Sequence, residues 1–217
     1  MSSEAGSGSG VHREFDQLIA RFSDSRKASE QEEIRAAIWE RYGTTGATFI
    51  SDMANFSSTS RTRGVCHFLK LIHRARATIA PVVAANNGLL LKCDADNTYA
   101  YFERPVDAIN ASVQVNAELF RQNQECELHD HIYLSVGIDY GRLLLVGNED
   151  FYGDPVNTAS KLGEDLAGRS ETLVTERAFA QTDLVLQANT ERMVARVSDI
   201  EISYLKLQMA AAARGNG

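Results

Sequence analysis

Hydrophobic residues near the start of the chain recur at helical spacing. Apolar positions repeat every three or four residues in two segments up to residue 42, separated by the polar stretch 23–31. Residues 1–10 are rich in Gly and Ser and have too little apolar surface to order themselves, so we expect a flexible tail there. Turn-forming residues at 43–46 end the predicted helical segment, which we place at 11–46.

Short extended runs alternate with helical patterns beyond residue 46. Thr, Phe and Ile residues predict a strand at 47–51, and a helical pattern follows over about 64–86. Strand candidates at 89–93 and 98–102 flank turn formers and indicate a hairpin. Pro105 suits the first turn of the next helix, whose inner side is expected to carry four apolar residues: Val106, Ile109, Val113 and Phe120.

A similar alternation follows in the second half of the chain. Strands at 132–138 and 142–146 are expected to form a hairpin around the turn residues 139–141. Pro155 is expected to open a helix that runs toward Gly168. Three further strands are predicted, at 172–175, 193–197 and 200–207.

The order β-α-β-β-α-β predicts the fold class. It is the ferredoxin-like arrangement, so we expect an α+β protein with a ferredoxin-like βαββαβ core, appended strands and helices, and a preceding N-terminal helical segment. The predicted catalytic-type domain spans 47–208, and a second flexible tail is expected at 209–217.

Composition and charge limit the partners. The chain has 217 residues, of which 44% are hydrophobic, and a net charge of −7 with scattered Lys and Arg, so we expect no nucleic-acid partner. Three cysteines without CxxC spacing indicate neither a disulfide framework nor a zinc site. No signal-like apolar region is visible at the N-terminus, and no apolar run approaches the roughly 20 residues of a membrane span. We expect a cytoplasmic protein without a transmembrane segment.

Two aspartates are candidates for metal binding. Asp52 ends the first predicted strand, and Asp96 lies in the turn of the hairpin that a ferredoxin-like sheet places beside that strand. Two carboxylates at neighbouring strand ends can hold one or two hard divalent cations and leave coordination positions for triphosphate oxygens. Taken singly, an acidic residue at such a position is usually only a solvated turn former.

Four motifs in the same order resemble the class III adenylyl and guanylyl cyclases. FISDMANFS at 49–57 resembles the family's first metal motif, and KCDAD at 92–96 resembles the second. VGIDYG at 136–141 resembles a Gly-Ile-His-x-Gly turn, and DFYGDPVNTASKL at 150–162 resembles the most diagnostic stretch. Each motif is weak alone, but four in register are a specific signal.

The resemblance implies a metal site and a site for the base. Asp52 and Asp96, with Met53 beside them, would hold two divalent metal ions, Mg²⁺ or Mn²⁺. Lys92 and Asp150 would read the base, because adenine offers an acceptor at N1 and a donor at its amino group while guanine reverses that pattern. The resemblance therefore favours ATP over GTP and an adenylyl cyclase over a guanylyl cyclase.

The resemblance also implies residues around the ribose and phosphates. Asn157 would orient the ribose, and Lys161, four residues later on the same helix face, stands where the family has an arginine that stabilises the reacting phosphate. Lysine keeps the charge and loses the planar fork, so a plain solvated lysine remains an alternative. Phe56 and Arg196 are further candidates for substrate binding.

Three questions stay open on the sequence alone. The family's active sites form between subunits, so the resemblance implies a head-to-tail homodimer; the N-terminal helices fit either pairing across that dimer or packing on their own domain. The replaced arginine leaves a catalytically weak, regulatory homologue as an alternative to an active enzyme. RNA binding on a ferredoxin-like sheet ranks low because the expected aromatic pattern is missing.

Overall fold

A computed structural model of the chain describes residues 7–54, 63–184, 190–197 and 200–207. The strands are β1 (Gly43–Met53), β2 (Gly88–Asp94), β3 (Asn97–Phe102), β4 (Leu134–Val146), β5 (Asp150–Tyr152), β6 (Thr172–Thr175), β7 (Glu191–Val197) and β8 (Ile200–Leu207). The α-helices are α1 (Ser7–Asp24), α2 (Ala28–Tyr42), α3 (Val65–Ala85), α4 (Pro105–Asn123), α5 (Asp154–Ser160) and α6 (Glu176–Phe179). Leu128–Asp130 forms a 3₁₀ turn, and Lys161–Leu166 forms a π-helical turn.

The strands form one mostly antiparallel sheet. Their order is β2-β3-β1-β4-β6-β8-β7, with β5 paired to β4. The first four strands of that order, with α3 and α4 as their connections, are the predicted ferredoxin-like core, and the α+β class is confirmed. The β4–β6 pair is parallel, and β8 and β7 extend the sheet from β6 in antiparallel pairs.

The two faces of the sheet are buried by different elements. Phe49 and Phe102 belong to the core under α3 and α4, which pack side by side. Ile50, next to Phe49 on β1, points to the opposite face and packs with Leu143 and Phe151. Thr48 shares that second face and donates a hydrogen bond of 2.9 Å to the Pro155 carbonyl oxygen, which ties α5 to the middle of β1.

The hairpin predicted around residues 139–141 is wrong. β4 runs without interruption from Leu134 to Val146, because β1 is long enough to pair with it throughout, from Gly43↔Leu144 to Met53↔Leu134. Asp139 faces a buried network instead of solvent, so it does not act as a turn former. The chain reverses later, beyond Val146, where Gly147 adopts a φ of 59° that favours glycine.

The N-terminal helices pack on their own chain. Phe15 from α1 and Ile34 and Ile38 from α2 bury their side chains against Val146 at the end of β4. Helix α1 already begins at Ser7, so the helical segment reaches into the predicted tail, and β1 begins at Gly43, four residues before the predicted strand. The earlier start of β1 follows from its pairing with β4, Gly43 with Leu144, which local patterning does not report.

The inner side of α4 differs from the prediction. Val113 and Phe120 are 42% and 58% exposed, and Val115 and Leu119 are buried in their place. A small polar residue, Ser112, helps to form the buried face, which shifts the face around the helix relative to the apolar pattern. Among the described residues, no helix combines the length and apolarity needed to cross a membrane.

Candidate active site

Asp52 and Asp96 meet at one end of the sheet. Asp52 lies near the end of β1, opposite Ser135 of β4, and Asp96 lies in the turn between β2 and β3. Their carboxyl groups lie close enough for the charge of Asp96 to act on Asp52. Ala95, beside Asp96, adopts a φ of 47°, a left-handed conformation that costs a non-glycine residue about 1–2 kcal/mol. The backbone therefore bears a local cost to present Asp96 from this turn.

The electrostatics of this pair suit a divalent cation. Burial, followed by the nearby charge of Asp96 and a smaller effect of Glu164, raises the pKa of Asp52 to about 7, although a backbone hydrogen bond at Met53 opposes the rise. Within the described ranges, no cluster of three or more His, Cys, Asp or Glu side chains is arranged around a metal. Two carboxylates fit Mg²⁺ or Mn²⁺, which keep water and substrate oxygens as their other ligands.

Lys92 and Asp150 form a charged pair. The ammonium nitrogen of Lys92, on β2, lies 2.8 Å from Asp150 Oδ1, on β5, and 5.1 Å from the centre of the Tyr99 ring. Burial alone would raise the pKa of Asp150, but hydrogen bonds from Lys92, from Tyr152 and from the Phe151 amide lower it below its usual value. Asp150 is therefore ionised at neutral pH and offers only acceptors.

Asn157 and Lys161 lie on a segment that packs tightly on the sheet. Asn157, on α5, is exposed, and Lys161, at the start of the π-helical turn, is half-buried. A Cβ atom on Gly137 would lie 2.1 Å from the Ala159 carbonyl oxygen, and one on Gly163 would lie 2.7 Å from that of Ile50. The two glycines allow this close approach, and π-helical turns occur frequently at functional sites.

Solved structures share this architecture. An adenylate/guanylate cyclase/hydrolase from Silicibacter pomeroyi is 22% identical over 76% of this chain and 96% of its own, with a TM-score of 0.63. A bacterial light-regulated adenylyl cyclase is 20% identical over 77% and 92%, with a TM-score of 0.63. The guanylate cyclase domain from Catenaria anguillulae, solved in complex with GTP, is 12% identical over 76% and 96%, with a TM-score of 0.63.

The chain has the fold of a nucleotidyl cyclase catalytic domain. No protein-family model matches the sequence, and no curated protein matches it. The agreement lies in the three-dimensional arrangement of the sheet and helices, and within the described residues the motifs at 92–96, 136–141 and 150–162 lie on β2 and its turn, on β4, and on β5 with the helix that follows it.

The side chains of two other predicted site residues, Met53 and Arg196, are not brought to the aspartate pair. The Met53 side chain is buried in the core, so only its backbone oxygen can face a metal. Arg196 is exposed on β7, four strand positions from β1, which is about 19 Å at roughly 4.8 Å per strand. The structure therefore does not bring Arg196 to Asp52 within one chain. Phe56 lies outside the described residues.

Sequence reasoning missed a buried ionic network in the cyclase fold. Asp139, fully buried, accepts hydrogen bonds from Thr175 Oγ1 at 2.5 Å, Arg177 Nε at 2.7 Å and its neighbour's amide at 2.8 Å. Arg177 also reaches Asp154, at the start of α5. One sequence feature pointed to this network: Asp139 stands where the family motif has histidine. Its arginine partner could not be identified from local patterns, because it lies 38 residues away.

Proposed function

We propose that this chain is a nucleotidyl cyclase that converts ATP into cyclic AMP and pyrophosphate. The observation that carries the proposal is the meeting of Asp52 and Asp96 at one end of a sheet with the cyclase topology. The charged pair of Lys92 and Asp150 supports adenine as the base. Structures of the same fold were solved with ATPαS or with GTP, which supports a purine nucleoside triphosphate as the substrate.

The reaction forms one bond and breaks another. The ribose 3'-oxygen bonds to the α-phosphorus, the bond from that phosphorus to the bridging oxygen breaks, and pyrophosphate leaves with the electron pair. The hydroxyl proton passes to water. Asp52 and Asp96, with the Met53 backbone oxygen, would hold two Mg²⁺ or Mn²⁺ ions, which when bound supply Lewis-acid chemistry to the hydroxyl and the triphosphate.

Lys92 and Asp150 select the base by their hydrogen-bonding groups. A lysine ammonium has three N–H donors, so Lys92 can donate to adenine N1 and still bind Asp150. Asp150 accepts from the adenine amino group. Guanine presents an oxygen at that position, which the carboxylate repels.

Asn157 and Lys161 act at the ribose and the α-phosphate. The exposed Asn157 amide orients the ribose, and the Lys161 ammonium neutralises charge that builds up on the phosphate as five oxygens surround it. Because lysine is a point charge without the arginine fork, it makes fewer simultaneous hydrogen bonds to that group.

The complete site is proposed to form between two copies of the chain. Arg196 lies four strand positions from β1, so it can serve only the metal pair of a partner. In a head-to-tail homodimer, the metal aspartates of one copy face Asn157 and Lys161 of the other. An ATP-consuming role and three free cysteines both fit the reducing cytoplasm.

The test is product identification with both nucleotides. The purified dimer is given ATP or GTP with Mn²⁺ or Mg²⁺, and the products are separated by chromatography. We expect cyclic AMP as the main product. An excess of cyclic GMP would identify a guanylyl cyclase instead, and tight nucleotide binding without product in either metal would identify a regulatory homologue.

A further inference from the structure

The hydroxyl of Tyr152 holds the carboxylate that is proposed to read the base. Tyr152 lies two residues after Asp150 on β5, and its hydroxyl donates a hydrogen bond of 2.8 Å to Asp150 Oδ2. The other oxygen, Oδ1, accepts from Lys92 at 2.8 Å and from the Phe151 amide at 3.0 Å. Donors on both oxygens fix the plane of the carboxylate as well as its position.

The number of acceptor sites on Asp150 limits how the carboxylate can bind a base. A carboxylate has about four lone-pair sites. Among the described residues, two donors occupy Oδ1 and one, Tyr152, occupies Oδ2. The remaining site on Oδ2 can accept one donor such as the adenine amino group. The tyrosine thereby determines the direction in which that site points.

Tyr152 is itself held by the N-terminal helix. The Phe15 ring of α1 stacks on the Tyr152 ring at 5.6 Å between centroids with an angle of 10°, and it meets Tyr42 edge-on at 5.1 Å. Phe15 is 8% exposed, whereas Tyr152 is 44% exposed. Burial, and then the bond to Asp150, raises the pKa of Tyr152 to about 12, so its hydroxyl keeps its proton at neutral pH.

We propose that Tyr152 is a positioning residue for purine selectivity, and that Phe15 of α1 keeps it in place over the base-reading carboxylate. This inference rests on the proposed function, because it holds that the orientation of the Asp150 carboxylate determines the preference for ATP over GTP. It also assigns a role to α1, which docks on the strand that carries Asp150.

The decisive variant is Tyr152→Phe. Phenylalanine keeps the ring that Phe15 stacks on and removes only the hydroxyl. The ratio of kcat/KM for ATP to that for GTP should fall about tenfold, the effect of one hydrogen bond to a charged group. The loss should appear in KM for ATP, with kcat and the melting temperature nearly unchanged. Phe15→Leu should lower the same ratio by about threefold, because it keeps apolar volume but loses the stacked ring.

Tyr42→Phe is the matched control. Its ring also contacts Phe15, but its hydroxyl is buried and, within the described part of the chain, has no hydrogen-bond partner. Removing that hydroxyl should leave the nucleotide ratio unchanged. An equal fall in Tyr42→Phe and Tyr152→Phe would show a general packing effect and overturn the proposal.

A binding measurement separates this inference from the proposed function. Calorimetry with 3'-deoxy ATP and 3'-deoxy GTP, which lack the attacking hydroxyl, reports the base preference without turnover. Suppose that the wild type makes no cyclic product, but its binding preference for the adenine nucleotide still falls in Tyr152→Phe. That result would defeat the cyclase assignment and leave the inference about Tyr152 standing. An unchanged preference in Tyr152→Phe overturns the inference, whether or not the wild type turns over.

Discussion

The carboxyl groups of Asp52, on β1, and Asp96, in the turn after β2, lie close enough at the end of the sheet for the charge of one to act on the other. Burial, and then the charge of Asp96, raises the pKa of Asp52 to about 7, so below that pH a proton on Asp52 relieves the repulsion between the two acids. A divalent cation would replace that proton. Metal binding and proton release are therefore linked at this site.

The stability of the metal-free protein should depend on Asp52. A pKa raised from 3.8 to about 7 means that the folded state binds this proton more tightly than the unfolded chain, so stability falls as pH rises between those values. Asp52→Asn should raise the free energy of unfolding by about 1–2 kcal/mol at about pH 8, after allowance for solvent screening. Near pH 4 it should change little. Urea denaturation at both pH values measures this.

The same variant should lose its response to metal. Mn²⁺ should raise the melting temperature of the wild type and of Asp94→Asn, an exposed aspartate in the same hairpin, but not that of Asp52→Asn. An equal rise in all three proteins would place metal binding away from Asp52.

Lys161→Arg tests the phosphate role. The guanidinium fork can make two parallel hydrogen bonds to a phosphate, so kcat for cyclic AMP formation should stay level or rise, up to about tenfold. Lys161→Gln, of similar length but without charge, should lose activity by at least about a hundredfold. Steady-state kinetics of the three proteins measures both effects. A large loss in Lys161→Arg would assign Lys161 a different role.

The buried network around Asp139 should dominate local stability. Asp139→Asn removes the fully buried charge that faces the half-exposed Arg177 and should cost about 1.5–3 kcal/mol, the contribution of hydrogen bonds to a charged group. Asp154→Asn removes the exposed partner of the same arginine and should cost less than about 1 kcal/mol. Thermal unfolding of both variants compares them. Similar losses of stability in the two variants would mean that the burial of Asp139 does not make its ion pair with Arg177 stronger than the pair with Asp154.

Local patterns predicted the sheet core and the hairpin that carries two of the candidate site residues. The hairpin that carries Lys92 and Asp96 follows from turn formers between two apolar runs, and the structure has it. The uninterrupted β4 could not be predicted, because Asp139 looks like a turn residue until Arg177, far along the chain, is brought beside it. The contact between Phe15 and Tyr152 could not be predicted for the same reason, since it joins elements that are distant in sequence.

Complementation tests the composite site. Asp52→Ala and Asn157→Ala should each abolish activity as homodimers, because both sites of each dimer lack one essential group. Mixing the two variants should restore activity, up to about a quarter to a half of the wild-type level, since a mixed dimer holds one intact site. The measurement is the rate of cyclic AMP formation by the mixture after subunit exchange. Continued inactivity in verified mixed dimers would mean that Asp52 and Asn157 of the same chain act together in one site.

The most direct measurement is the rate of cyclic AMP formation from ATP by the wild-type dimer and by Asp96→Asn, with Asp94→Asn as the control. We expect cyclic AMP from the wild type and from the control, and a loss of at least about a thousandfold in Asp96→Asn. Absence of cyclic AMP from the wild type in both Mg²⁺ and Mn²⁺, or full activity in Asp96→Asn, would contradict the account.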